Sequence, residues 1–239
     1  MISLFHKSES PLIQNYLAAA KSRRPWKIPL MANRFVVLDT ETSGFEVGTD
    51  RILSIALFEI INGQVDLALS RKWVVFQPES APTAATAIHG ILPSETRGGT
   101  DEKKVLEELI PLLTGAVAVG HHIGFDAAMI NEAMVRHFQV KFTNRIVDTA
   151  IMATREIVAF HQSGYKNQRP PSLDEVCSQL NLPIVARHTA EGDAFLAAQI
   201  FLFLCGRIRR RLLRRAIHRR DPRLRDLPIG RFRQPRAAL

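Results

Sequence analysis

The sequence predicts an α/β fold, a mixed five-stranded sheet flanked by helices, and three features carry that expectation. Two segments that read as strands, Ile52 to Ile61 and Val65 to Phe76, meet at Asn62-Gly63, a dipeptide that favours a tight hairpin turn. An apolar run, Phe35 to Asp39, precedes them, and helical spacings alternate with short strand-like segments after them.

Taken in order, residues 1–33 hold a short helical candidate, Leu12 to Ala20, and a basic, proline-containing linker, read as an appended N-terminal arm. After the three strands, helical spacing predicts helices around Thr83 to His89 and Glu102 to Leu113. Ala116 to Gly120 reads as a buried strand that runs through His121 and His122 into a helix from Phe125 to Phe138, with Met129, Ile130, Ala133 and Met134 as its apolar face. Another strand leads to Asp148, expected to cap the helix Thr149 to Phe160 or to support a site from behind. A further helical segment opens near Ser172, and Thr189 is the expected N-cap of the last long helix, which places Asp193 about one turn in. The apolar stretch Ala194 to Cys205 falls short of the roughly 20 residues needed to cross a bilayer, so it reads as a core helix.

Asp39 and Glu41 stand two residues apart at the end of a strand, where alternate side chains share a face. Two converging carboxylates repel, and one stays protonated unless a cation neutralises them, so the pair asks for a divalent metal. Standing alone, such a pair is more often a solvated strand end. Asp126 at a strand-to-helix junction, and His188 separated by four residues from Asp193, supply further oxygen donors and a base. Each has a plain alternative: Asp126 and Asp193 are first-turn acids of the kind a helix dipole favours, and His188 is a loop histidine.

As an ordered set, Asp39-x-Glu41, His121-His122-x-x-Phe125-Asp126 and His188-x4-Asp193 resemble the DEDDh group of 3′–5′ exonucleases. That group includes the proofreading epsilon subunit of bacterial DNA polymerase III, ribonuclease T and oligoribonuclease. Ala87 to Ile91, Val147 to Thr149 and Ser172 to Cys177 match in support, and the resemblance covers residues 34–205. It implies a ribonuclease H-like fold and metal-dependent hydrolysis at single-stranded DNA 3′ ends. It also implies two divalent ions, Mg2+ or Mn2+, a hard-cation site that suits carboxylates rather than thiols. Carried over residue by residue, Asp39 bridges both ions, Glu41 and Asp193 hold the ion that activates water, and Asp126 supports the other. His188 becomes the general base, as a side chain with an ordinary pKa of about 6.5 can be. The backbone around Thr40 and Thr42 meets the terminal nucleotide, Ile88 and His89 lie near its base, and Phe125 stacks or wedges at the strand end, with core packing as its plain alternative. Many relatives carry asparagine where this chain has His122. Adjacent His121 and His122 do not make a zinc site, for want of nearby cysteine or a third suitable histidine.

The net charge of +9 is uneven. Residues 206–239 hold 13 arginines against two acids, leaving 19 basic and 21 acidic residues in the rest. The tail therefore carries the excess, as an arginine-rich helix with Ile208, Leu212 and Ala216 at helical spacing and an extended end beyond Asp221-Pro222. Such a segment suits nucleic-acid phosphate, an anionic membrane surface or an acidic partner, with a solvated helix as the plain alternative; a DNA polymerase subunit as partner is what the resemblance to the epsilon subunit implies. The domain organisation expected is an arm at 1–33, an exonuclease domain at 34–205 and the tail. No leader peptide is legible, and Cys177 and Cys205 do not suggest a disulfide framework, so a cytoplasmic protein is expected. Two other functions stay open: an RNA-trimming exonuclease, because the motifs read phosphate and not sugar, and a non-catalytic nucleic-acid-binding or polymerase-associated module.

Overall fold

The structure, a computed structural model, describes residues 10–21, 34–78, 84–161 and 169–218, with side chains to residue 213. The basic linker, Thr83 and the expected extended end lie outside the described residues. Strand β1 (Phe35–Thr42) pairs antiparallel with β2 (Ile52–Ile61) and parallel with β4 (Val117–Gly120). With β3 (Gln64–Val74) and β5 (Arg145–Asp148) this makes the mixed five-stranded sheet, in the order β3-β2-β1-β4-β5. The β2–β3 hairpin turns at Asn62 and Gly63, whose φ of 53° and 76° are the two positive values that an Asn-Gly turn supplies at least cost.

Alternation along β1 sends its residues to two different layers. Val36 and Leu38 join Ile55, Leu57 and Trp73 in a core completed by α4 (Glu102–Leu113) and α5 (Gly124–Phe138). The other face meets α8 (Ala190–His218): the rings of Phe35 and Phe201 are 4.9 Å apart, and Ala56 and Phe58 pack on Ala190 and Ala194. Around α8, Ala153 of α6 (Thr149–Glu156), Phe160 of a 3₁₀ turn, Val176 of α7 (Leu173–Leu180), Leu196 and Ile200 form a separate cluster. Full burial of each such large aliphatic contributes about 1.5–3 kcal/mol, so both layers hold the sheet firmly. The consequence for function is that Asp39 and Glu41 share the α8 face while Thr40 and Thr42 point the other way and are buried.

The elements differ from the sequence expectation in several places. β1 runs on through Thr42 rather than stopping at Asp39, because Thr40 and Thr42 continue the buried alternation. The helix expected from Thr149 to Phe160 breaks at Ile157, whose backbone is extended (φ −109°, ψ 114°), and resumes as the 3₁₀ turn Val158–His161. Within the stretch expected to be helical from Thr83 to His89, α2 spans Thr86–His89, and a further short helix that was not expected, α3 (Pro93–Arg97), follows it and opens on a proline. Within the segment read as an arm, α1 (Pro11–Lys21) buries Ile13 and Tyr16 in the α4–α5 core, and the Tyr16 hydroxyl donates to Asn144 Oδ1 at 2.7 Å. By packing, residues 1–204 form one unit and 205–239 a second, of which residues 205–218 are described and helical. Both cysteines are free and buried, and among the described residues no helix is long and apolar enough to cross a membrane.

Candidate active site

The C-terminal half of β1 supplies Asp39 and Glu41, and the first turn of α8 supplies Asp193 from the layer packed on that face. Thr189 fixes the start of this helix, its hydroxyl accepting from Gly192 N at 3.0 Å, as expected of an N-cap. One carboxylate oxygen from each of Asp39, Glu41 and Asp193 lies within 4.8 Å of the others. Asp126 comes from the opposite layer, in the first turn of α5, and its buried Oδ1 accepts from Thr40 N at 2.8 Å and Thr40 Oγ1 at 2.7 Å. It therefore stands behind the trio, clipped to the strand that carries two of the three. Close approach of β4 to β1 makes this possible: a Cβ on Gly120 would sit 2.9 Å from the Leu38 carbonyl oxygen. Asp148 caps α6 by accepting from Ala150 N at 2.8 Å and also takes His122 N at 3.2 Å, steadying the turn that leads to Asp126.

So much negative charge in so little water raises proton affinity. Burial lifts Asp39 well above the ordinary carboxylate range, and the charges of Asp126, Asp193 and Glu41 add to it. Glu41 is pushed up to about 7 by burial, with Asp193 and Asp126 adding. Asp126 is also pushed up to about 7 by burial, against the two Thr40 hydrogen bonds that favour its charged form. Arg187 lowers both Asp39 and Glu41 and is ion-paired to Asp193 Oδ2, while Asp193 Oδ1 is buried with no hydrogen-bond partner among the described residues. An all-oxygen set with an orphaned buried oxygen fits a hard divalent cation.

The remaining expected residues are placed unevenly. His188 is exposed in the loop before α8, in a left-handed backbone (φ 59°), and bonds to none of the described residues. Thr40 spends both its N–H and its hydroxyl on Asp126, and Thr42 Oγ1 donates to Gly44 O at 2.7 Å. Ile88 is exposed, but His89 is buried, its Nδ1 accepting from Ile91 N at 3.0 Å. Both ring nitrogens of His121 are engaged, with the Thr149 hydroxyl and the Pro171 carbonyl, which leaves it no part in a metal site. Two residues escaped the sequence reading. Phe45 is 73% exposed yet pairs with Phe125 at a centroid distance of 6.0 Å. Its loop is tied by Asp50, which accepts from Ser43 Oγ at 2.7 Å and Glu46 N at 2.8 Å. Arg187 is the second; the adjoining His188 was the only local signal, because its partners are set by tertiary packing.

Comparison with known proteins agrees with this geometry. A family model described as Exonuclease, of the RNase T group, matches residues 36–201. A DNA polymerase III subunit epsilon-like protein of Rhodobacter capsulatus is 32% identical over 179 residues, 74% of this chain and 24% of that protein. The 3′–5′ exonuclease DinG of Bacillus subtilis is 29% identical over 177 residues, 74% of this chain and 18% of its own. The chain thus spans about a quarter or less of the length of these relatives. Among solved structures, E. coli Exonuclease I in complex with a dT13 oligonucleotide superposes with a TM-score of 0.62 at 18% identity, covering 79% of this chain and 44% of that one. That likeness concerns the fold, which is ribonuclease H-like.

Proposed function

The chain belongs to the exonuclease family, and from that premise we propose that it removes nucleotides one at a time from the 3′ end of single-stranded DNA by metal-dependent hydrolysis. The observation that carries the reading is the meeting of Asp39, Glu41 and Asp193 within 4.8 Å, with Asp126 clipped to the intervening Thr40. Those four acids would hold two divalent ions, Mg2+ or Mn2+. Bound there, the ions neutralise the scissile phosphate and acidify a water molecule.

The protein's own groups do the rest. Asp126, fixed by Thr40, and Asp193, fixed by Arg187, keep the carboxylates preorganised, so little rearrangement is needed when substrate arrives. His188, exposed and bonded to none of the described residues, is placed to accept the proton of the attacking water. Water oxygen joins phosphorus, the bond to the penultimate 3′ oxygen breaks, and that oxygen takes a proton from solvent. Phe45 and Phe125 offer aromatic faces to the terminal bases, a contact that tolerates any base and contributes about 1–3 kcal/mol per base. A polymerase-associated role in proofreading or repair accords with the epsilon-like relative.

The test compares 5′-labelled single-stranded DNA and RNA of one sequence, each with Mg2+ or EDTA. Stepwise shortening of DNA from the 3′ end, abolished by EDTA, is expected. Preference for RNA would reassign the substrate, and binding without shortening would make the protein a non-catalytic module.

A further inference from the structure

We infer that Arg187 is a positioning residue, a bracket that holds both Asp193 and the loop carrying His188; this rests on the reading of the site given above. Its guanidinium spans two helices: Nε donates to Asp174 Oδ1 of α7 at 2.6 Å, and Nη1 is ion-paired to Asp193 Oδ2 of α8. Asp193 cannot rotate without breaking that pair, so its Oδ1, buried and without a partner among the described residues, is kept as the free ligand oxygen. Orienting partners of ligating carboxylates act in this way generally.

The loop itself is pinned on both sides of Arg187. Ala186 and His188 are left-handed, with φ of 53° and 59°, a conformation that non-glycine residues hold only when their surroundings enforce it. Thr189 Oγ1 donates to the Ala186 carbonyl at 2.8 Å. That carbonyl oxygen lies 2.0 Å from where a Cβ on Gly192 would be, so the loop backbone rests directly on the first turn of α8. Arg187 is not a phosphate grip. Its side chain is only 19% exposed and its fork is already shared between two carboxylates.

Bridging requires two nitrogens of one planar group, which lysine lacks. The deciding variants are therefore Arg187→Lys, which keeps the charge and loses the fork, and Asp174→Ala, which removes the outer anchor at a half-exposed position away from the acidic trio. On the full chain, Mn2+ binding is read by EPR, kcat and KM on labelled single-stranded DNA are measured, and a thermal melt confirms folding. Both variants are expected to lose Mn2+ affinity and kcat by about 10–100-fold, with KM unchanged within about twofold. Wild-type values in Asp174→Ala, full function in Arg187→Lys, or a change confined to KM would overturn the bracket. Asp39→Asn separates the two claims. Wild-type Mn2+ binding in that variant refutes the acidic site itself, whereas its loss there alongside wild-type behaviour in Asp174→Ala refutes only the bracket.

Discussion

Protons and metal ions compete for the same oxygens at single residues of this site. Burial and mutual repulsion put Glu41 and Asp126 at about 7 and hold Asp39 well above its ordinary range. Divalent ions must displace those protons, so Mn2+ affinity should rise steadily from pH 6 to pH 8; a flat profile in a calorimetric titration would contradict this. Linkage gives the matching stability effect. Because these carboxyls bind protons more tightly folded than unfolded, the metal-free protein is favoured by them below their unfolded pKa values near 4 and loses that contribution as pH rises through about 7. Its Tm in EDTA should fall over that interval, with Mg2+ restoring more at pH 8 than at pH 6. Asp39, Glu41 and Asp193 were legible in the sequence because strand alternation and helix capping are local rules. Arg187 and Phe45 were not, since only folding brings the first to Asp174 and the second to Phe125.

Among the elements, α1 shows where local pattern stops informing. Its helical spacing was readable, but its attachment to the core was not, because the Tyr16 hydroxyl finds its partners 127 and 128 residues away: it accepts from Thr143 N and donates to Asn144 Oδ1, both at 2.7 Å. Tyr16→Phe leaves both groups without that partner and should cost about 1–3 kcal/mol, seen as a lower urea midpoint. An unchanged midpoint would mean that the Tyr16 hydroxyl adds nothing to the fold's stability. The hairpin at Asn62-Gly63 and the caps at Asp148 and Thr189 were all readable for the opposite reason, each being complete within four residues of sequence. The break at Ile157 had no such signal.

For the molecule as a whole, charge separates the two units: a nearly neutral body, and residues 206–239 with 13 arginines and two acids. If the tail grips phosphate, truncation after Cys205 should weaken single-stranded DNA binding and flatten its salt dependence by roughly 0.7 in log–log slope per lost phosphate contact. Mn2+ affinity should be unchanged, and an unaltered salt slope would assign the arginines elsewhere. The central claim is that one acidic cluster, gathered from both sides of the sheet, carries the hydrolysis. Its most direct test is the rate of mononucleotide release from 3′-labelled single-stranded DNA by wild type and a folded Asp39→Asn variant in Mg2+. The account predicts release by wild type and a loss of about a thousandfold or more in the variant; release at the wild-type rate by Asp39→Asn would contradict it.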